Sequence, residues 1–181
     1  MKYKRINPPI SNNFAHAILA VRGLSEDQIP QFIHPDKSLL NNPEQLDNIA
    51  KGAALLDAAL KTNQNIWVIV DCDVDGYTSA SIFWLYVKDL YPNAKLRYLV
   101  HEQKQHGLND LVDWIEEHSD EIDLLVIPDA GSNDDDQFTR LLDFSVPCLV
   151  LDHHEIEGNI SKDAVIINNQ YSKNYPNKAL T

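Results

Sequence analysis

Ile66-Trp67-Val68-Ile69-Val70-Asp71-Cys72-Asp73-Val74-Asp75-Gly76 is the stretch that decides the fold. A short apolar run is consistent with a buried strand, and here it opens directly into alternating carboxylates and a glycine. The residues from Thr78 to Leu90 then follow a helical pattern. A strand that empties into acids and continues as a helix puts those acids at its carboxyl end, the edge where ligands collect in open α/β sheets.

Outward from that unit the pattern recurs. Apolar runs at Leu96 to Val100, Leu124 to Ile127, Cys148 to Leu151 and Val165 to Ile167 are separated by helical patterns at Asn109 to His118 and Asp134 to Leu142. Strand and helix alternate, which predicts an α/β fold with a mostly parallel, doubly wound sheet flanked by helices. Upstream, Leu46, Ile49, Ala53, Leu56 and Leu60 recur at helical spacing from Pro43 to about Thr62 and Asn63, an amphipathic helix that needs a sheet to cover. Residues 1–43 are rich in Pro and Asn, with a short apolar patch at Ile29 to Ile33, and read as a loop-and-short-helix lead-in. The expected division is a lead-in over 1–43 and one domain over 44–181.

With 181 residues, 44% of them hydrophobic, the chain suffices for one well-packed α/β domain. It has no run of about 18 apolar residues and no apolar stretch after Met1 to Arg5, so a cytoplasmic protein without a membrane span is expected. Cys72 and Cys148 lack zinc-like spacing and are expected in the core. The net charge of −12 excludes a broad basic surface for nucleic acid, because neutralising phosphates takes clustered Lys and Arg. Any such binding must be local.

Polar clusters follow three of the five runs: Asp71, Asp73 and Asp75 after the first, Asp129 after the third, and Asp152, His153 and His154 after the fourth. If the strands are parallel, all three converge on one edge. Five carboxylates and two imidazoles gathered there repel one another when empty, and hard oxygen ligands with His suit Mn²⁺ or a similar ion, most economically two of them.

Blander readings compete. Asp71 to Gly76 fits the start of an EF-hand loop, but the twelfth position is Ile82 rather than Glu. The histidines at 101 and 106 flank Glu102 but stand five apart, whereas a helical zinc motif needs them four apart. They fit a loop ahead of a helix capped by Asn109, from which Lys104 and His106 can reach a phosphate. Asp129 leaves its strand through Pro128, Ala130 and Gly131, a tight exit that aims one carboxylate inward. Asp134, Asp135 and Asp136 open a helix, where the dipole favours acids, so capping explains them without a metal. Of the adjacent His153 and His154, one suits a metal and the other a substrate.

Taken in order, these clusters resemble the DHH phosphoesterase superfamily, whose naming triplet is seen here as Asp152, His153 and His154. The first motif from Asp71 to Thr78, the loop ending His106-Gly107-Leu108, the Asp129 motif and the stretch from Asn168 to Thr181 are similar to the RecJ-like branch, single-strand-specific exonucleases. The resemblance implies Asp73, Asp75, Asp129 and His153 as ligands of two Mn²⁺ or Mg²⁺ ions, with Asp129 bridging and Asp71 an additional ligand. It implies Asp152 orienting its neighbours and His154 on the scissile phosphate. It further implies two-metal hydrolysis, single-stranded DNA degraded 5′ to 3′, and replication or repair proteins as partners. Other branches of the superfamily imply alternatives: small substrates such as oligonucleotides, cyclic dinucleotides or pyrophosphate, or a non-catalytic scaffold. The chain departs from the family pattern at Glu102 to Gly107, where an Arg and then Gly-Tyr-Gly are usual. It stops at Thr181 inside what resembles the next motif, so a downstream Asp ligand and the companion C-terminal domain are missing from it, as expected of a fragment of a longer chain or of a naturally short relative.

Overall fold

The computed structural model describes residues 13–101, 105–158 and 160–178. The chain separates into two compact units, Met1–Asn41 and Asn42–Thr181. The first contains helix α1 (Phe14–Val21), capped by the Asn13 side chain, helix α2 (Gln28–Ile33) and a 3-10 turn at Lys37–Leu39. No helix among the described residues is long and apolar enough to cross a membrane.

The second unit runs α3 (Ile49–Lys61), β1 (Asn65–Val70), α4 (Val74–Leu90), β2 (Lys95–Val100), α5 (Val112–Glu117), β3 (Leu124–Pro128), α6 (Asp135–Leu142), β4 (Cys148–Asp152) and β5 (Val165–Asn168). All four strand pairings are parallel, in the order β2-β1-β3-β4-β5. Alternate residues serve opposite faces. Ile66, Val68, Leu124, Val126 and Leu149 pack with Ala59 of α3 and Ala80, Phe83 and Val87 of α4. Trp67, Ile69, Leu125, Ile127 and Val150 pack with Val112 and Ile115 of α5 and Phe138 and Leu141 of α6. Because helices cover both faces, the strands read as unbroken apolar runs, and β3 is buried throughout. The expected doubly wound parallel sheet is the fold observed.

Several boundaries differ from the sequence pattern, each for a local reason. The helix expected from Pro43 begins at Ile49: Pro43–Gln45 forms a 3-10 turn, and Asn48 takes a left-handed φ of 65° while its amide donates to Ile166 O at 2.8 Å. Helix α4 starts at Val74 rather than Thr78, because the Asp73 carboxylate accepts from Gly76 N at 2.9 Å and caps it. Helix α5 starts at Val112; the position before it is Leu111, and the Asn109 side chain instead accepts from Gln137 Nε2 through its Oδ1. Of the two cysteines, Cys148 is buried, but Cys72 is only half-buried because it lies past the end of β1 on the open edge of the sheet.

Candidate metal centre

The strand order places a topological switch beside β1. The chain leaves β1 toward β2 on one side and later returns to β3 on the other, so the loops after β1 and β3 diverge and open a crevice at their carboxyl ends. Asp71, Asp73 and Asp75 follow β1, Asp129 follows β3, and His153 and His154 follow β4.

Asp129 sits at a φ of 77°, a left-handed conformation that Asp tolerates better than most residues. It is 6% exposed. Its Oδ1 lies 2.9 Å from His153 Nε2, and its Oδ2 is buried without a hydrogen-bond partner. Burial, and next the negative charge of Asp73, raise its pKa, while His153 opposes the shift. Asp129, His153 and His154 offer ligand atoms that all lie within 4.8 Å of one another. A buried carboxylate oxygen with nothing to bond, beside two imidazoles, fits a divalent cation. Asp73 is half-buried and engaged as the α4 cap, and Asp75 is exposed in the first turn of that helix. Neither belongs to the close group around Asp129.

Asp152 is the organiser of the β4 exit. Its Oδ1 accepts from His153 N at 2.6 Å, His154 N at 3.0 Å and His154 Nδ1 at 2.8 Å, and its Oδ2 accepts from Ser132 N at 2.9 Å. Burial alone raises a carboxyl pKa, but these donors outweigh it and hold Asp152 below the usual carboxylate range. The same bond holds the His154 pKa up against its partial burial. Strand alternation ends at Asp152, so His153 and His154 do not point to opposite faces; their ring centres are 4.5 Å apart. Asn168, the last residue of β5, fastens this turn by donating to Ser132 Oγ at 2.8 Å and His154 O at 3.0 Å.

Asp71 is almost fully buried, and both of its oxygens are engaged. His106 Nδ1 lies 2.8 Å from Oδ2, while Gly107 N donates to Oδ1 at 3.2 Å and His101 Nε2 lies 3.3 Å from it. Burial raises the Asp71 pKa, yet the two histidines and the amide bring it below the ordinary value. His106, Gly107, Ser132, Asp134, Asp152 and His154 line one cavity of roughly 570 Å³. His106 is thus brought to the site, whereas Lys104 lies outside the described residues.

Asp134 does not act as the expected capping side chain. Its carboxylate makes no bond to the α6 amides and accepts from Leu108 N at 2.8 Å instead, fixing the loop that carries His106. Gly107, at a φ of 72°, permits this approach, since a Cβ there would collide with Asp134 Oδ2. Sequence reasoning also missed Asn168, His101 and Asp110. The available signal was position: His101 and Asn168 stand where β2 and β5 end, as Asp71 and Asp152 do for their strands.

The chain matches the family model for the DHH family, N-terminal domain, over residues 65–176. It is 38% identical over 164 residues to YorK of the SPbeta prophage in Bacillus subtilis strain 168, named as a single-strand DNA-specific exonuclease; the match covers 91% of this chain and 27% of that protein. It is 28% identical to the single-stranded-DNA-specific exonuclease RecJ of Haemophilus influenzae, over 98% of this chain and 31% of the relative. Its fold is similar to that of Thermus thermophilus RecJ, solved in complex with Mn²⁺, with a TM-score of 0.65 and 24% identity, covering 79% of this chain and 20% of that one. The chain therefore spans about a quarter to a third of the length of these curated relatives. With the family match covering more than half of its length, the chain belongs to the DHH family and carries that family's N-terminal domain.

Proposed function

We propose that this chain is the metal-binding part of a phosphodiesterase that degrades single-stranded DNA from its 5′ end. The observation that carries the reading is the buried, unpartnered Oδ2 of Asp129 converging with His153 and His154 beside a polar cavity. The names of the relatives supply the substrate class. Asp129 and His153 would hold a divalent cation, and Asp73 and Asp75, which stand outside their close group, would have to approach it to complete a site for two Mn²⁺ or Mg²⁺ ions. Bound there, such ions supply Lewis-acid and charge-neutralising chemistry for phosphate-ester hydrolysis.

The remaining work falls to the chain's own side chains. Asp152 takes three N–H donors from the β4 exit and one from Ser132, fixing both histidines in aim and His154 in tautomer. His154, whose pKa the bond to that carboxylate raises, lines the cavity and, when protonated, would donate a charge-assisted hydrogen bond to a phosphate oxygen there. His106 lines the same cavity, with Nδ1 engaged by Asp71 and Nε2 left open, and Lys104, two residues before it in the sequence, is a further candidate for phosphate. The net charge of −12 favours a short reach along the strand, so a small-substrate phosphodiesterase is the second reading.

The test is Mn²⁺-dependent hydrolysis of a 5′-phosphorylated single-stranded oligonucleotide, with a dinucleotide in parallel and Asp129→Asn as control, since Asn tolerates the left-handed backbone. Release of mononucleotides from the long strand, lost in the variant, is the expected result. Cleavage of the dinucleotide alone establishes the small-substrate reading. No turnover, together with Mn²⁺ affinity equal in wild type and variant, overturns both and leaves a scaffold.

A further inference from the structure

Residues Val70 and Val100 are register partners at the ends of the neighbouring strands β1 and β2, so the next residues, Asp71 and His101, stand side by side. The His101 side chain has no exposed surface. Its Nδ1 lies 2.7 Å from Asp110 Oδ1, in the turn before α5, and its Nε2 lies 3.3 Å from Asp71 Oδ1. A carboxylate only accepts, so Nδ1 carries the proton toward Asp110, while Nε2 makes no hydrogen bond and meets Asp71 Oδ1 at ion-pair distance, a contact that is attractive when the ring is charged. The same logic applies on the other side of Asp71. Its Oδ2, 2.8 Å from His106 Nδ1, requires the proton there and turns His106 Nε2 toward the cavity that His154 also lines. The four groups form one chain: Asp110, His101, Asp71, His106.

A buried histidine is commonly a satisfied core residue, but the core role is a poor account of this one. Enclosing a histidine ring beside a buried carboxylate, with one ring nitrogen left without a hydrogen bond, costs desolvation that an apolar side chain of similar volume would avoid. Asp110, with a side chain 27% exposed, adds a second charge to the clamp. What the arrangement provides is orientation. Without His101, Asp71 Oδ1 keeps only the Gly107 amide at 3.2 Å, and the carboxylate can rotate its Oδ2 away from His106.

We infer that His101 is a positioning residue: clamped by Asp110, it pins Asp71 against His106 and thereby fixes the tautomer and aim of an imidazole facing the cavity. The inference that this aim serves a phosphate rests on the proposed function and requires His106 Nε2 to take up a proton from solvent as the phosphate binds, since a lone pair cannot donate, whereas the clamp itself needs neither. Asp71 on this account is a hub between two histidines rather than a metal ligand.

The experiment uses the whole chain labelled with ¹⁵N-histidine and read by long-range ¹H–¹⁵N correlation without metal, with the His106 signal assigned by its loss in His106→Ala. Wild type shows His106 protonated at Nδ1. In His101→Ala and Asp110→Ala that signal moves to a mixture of tautomers, and Asp110→Asn, which retains an acceptor for His101, restores the wild-type pattern. In parallel, thymidine 5′-monophosphate binding is measured with Mn²⁺ present. His101→Ala and Asp110→Ala weaken it roughly tenfold or more, as His106→Ala does, while Mn²⁺ affinity stays within about twofold, far below the tenfold change typical when a ligand's support is lost. Asp110→Ala, at a partly exposed position, decides the matter should His101→Ala fail to fold. An unchanged His106 tautomer in Asp110→Ala overturns the clamp, and so does an Mn²⁺ affinity that falls along with nucleotide binding. A wild-type chain that shows the fixed tautomer but binds no nucleotide refutes the phosphate reading and leaves the clamp standing.

Discussion

Asp134 shows how the tertiary surroundings redefine an ordinary residue. At the head of α6 it has the sequence context of a cap, yet its carboxylate is buried against the His106 loop and bonded to Leu108 N. Burial first, and then the negative charges of Asp152 and Asp71, raise its pKa above 3.8, with the Leu108 amide opposing. A carboxyl raised in the fold binds protons more tightly there than in the unfolded chain. Its contribution to stability therefore falls as pH rises through that window, and the full penalty is present at neutral pH. Asp134→Asn keeps an acceptor for Leu108 N and removes the charge. The variant should be more stable than wild type at neutral pH, by a margin that shrinks as the pH is lowered toward 3.8. Urea midpoints across that range measure it; a margin independent of pH would show that the charge is not its source. Asp129 was legible as an inward carboxylate because the tight exit around it is local, whereas the partner of Asp134 lies 26 residues away and left no local trace.

At the scale of elements, α3 and α4 make different demands on their glycines. A Cβ on Gly76 would meet Asp71 Cβ at 2.5 Å and Asp71 O at 2.7 Å, atoms of the tight strand-to-helix turn that carries the acids. A Cβ on Gly52 would meet only the methyl tips of Ile167 and Leu149, at 2.7 and 2.9 Å. Gly76→Ala should destabilise the chain by about 1–3 kcal/mol through overpacking. Gly52→Ala should stay within about 1 kcal/mol of wild type, because a helix-propensity gain of that order offsets the displaced methyls. Thermal melts of both test the contrast, and equal losses would mean that the α3–sheet contact is as unyielding as the α4 turn. The helical patterns located α3 and α4, but their first residues were set by Asn48 and Asp73, whose side chains chose partners that periodicity does not encode.

Across the whole molecule, the acidic balance and the candidate metal centre act together. A cation bound by the folded state alone stabilises it by mass action, about 2.7 kcal/mol at a hundredfold excess over Kd. Mn²⁺ should therefore raise the melting temperature of wild type and leave Asp129→Asn nearly unmoved; equal shifts in both would place the bound ion elsewhere. With only 15 Lys and Arg against 27 Asp and Glu, the chain can neutralise few phosphates. Binding to single-stranded DNA should weaken only shallowly with salt, with a log–log slope no steeper than about −2, equivalent to two or three phosphate contacts. A slope near −5 or beyond, measured by fluorescence anisotropy, would reveal a strand path that the composition does not suggest.

The sequence by itself determined the five strands, their parallel sense and the delivery of acids and histidines to one edge, because apolar runs, helical periodicity and the polar residues that end each run are local properties. The tertiary structure decided which of those groups meet. The order β2-β1-β3-β4-β5 set His101 beside Asp71 and opened the crevice between β1 and β3. Chain folding brought His106 onto Asp71 across 35 residues and His153 onto Asp129 across 24. A buried hydrogen-bonding group takes whatever partner the packed structure brings within reach, and that choice depends on strand order and loop path rather than on spacing along the chain.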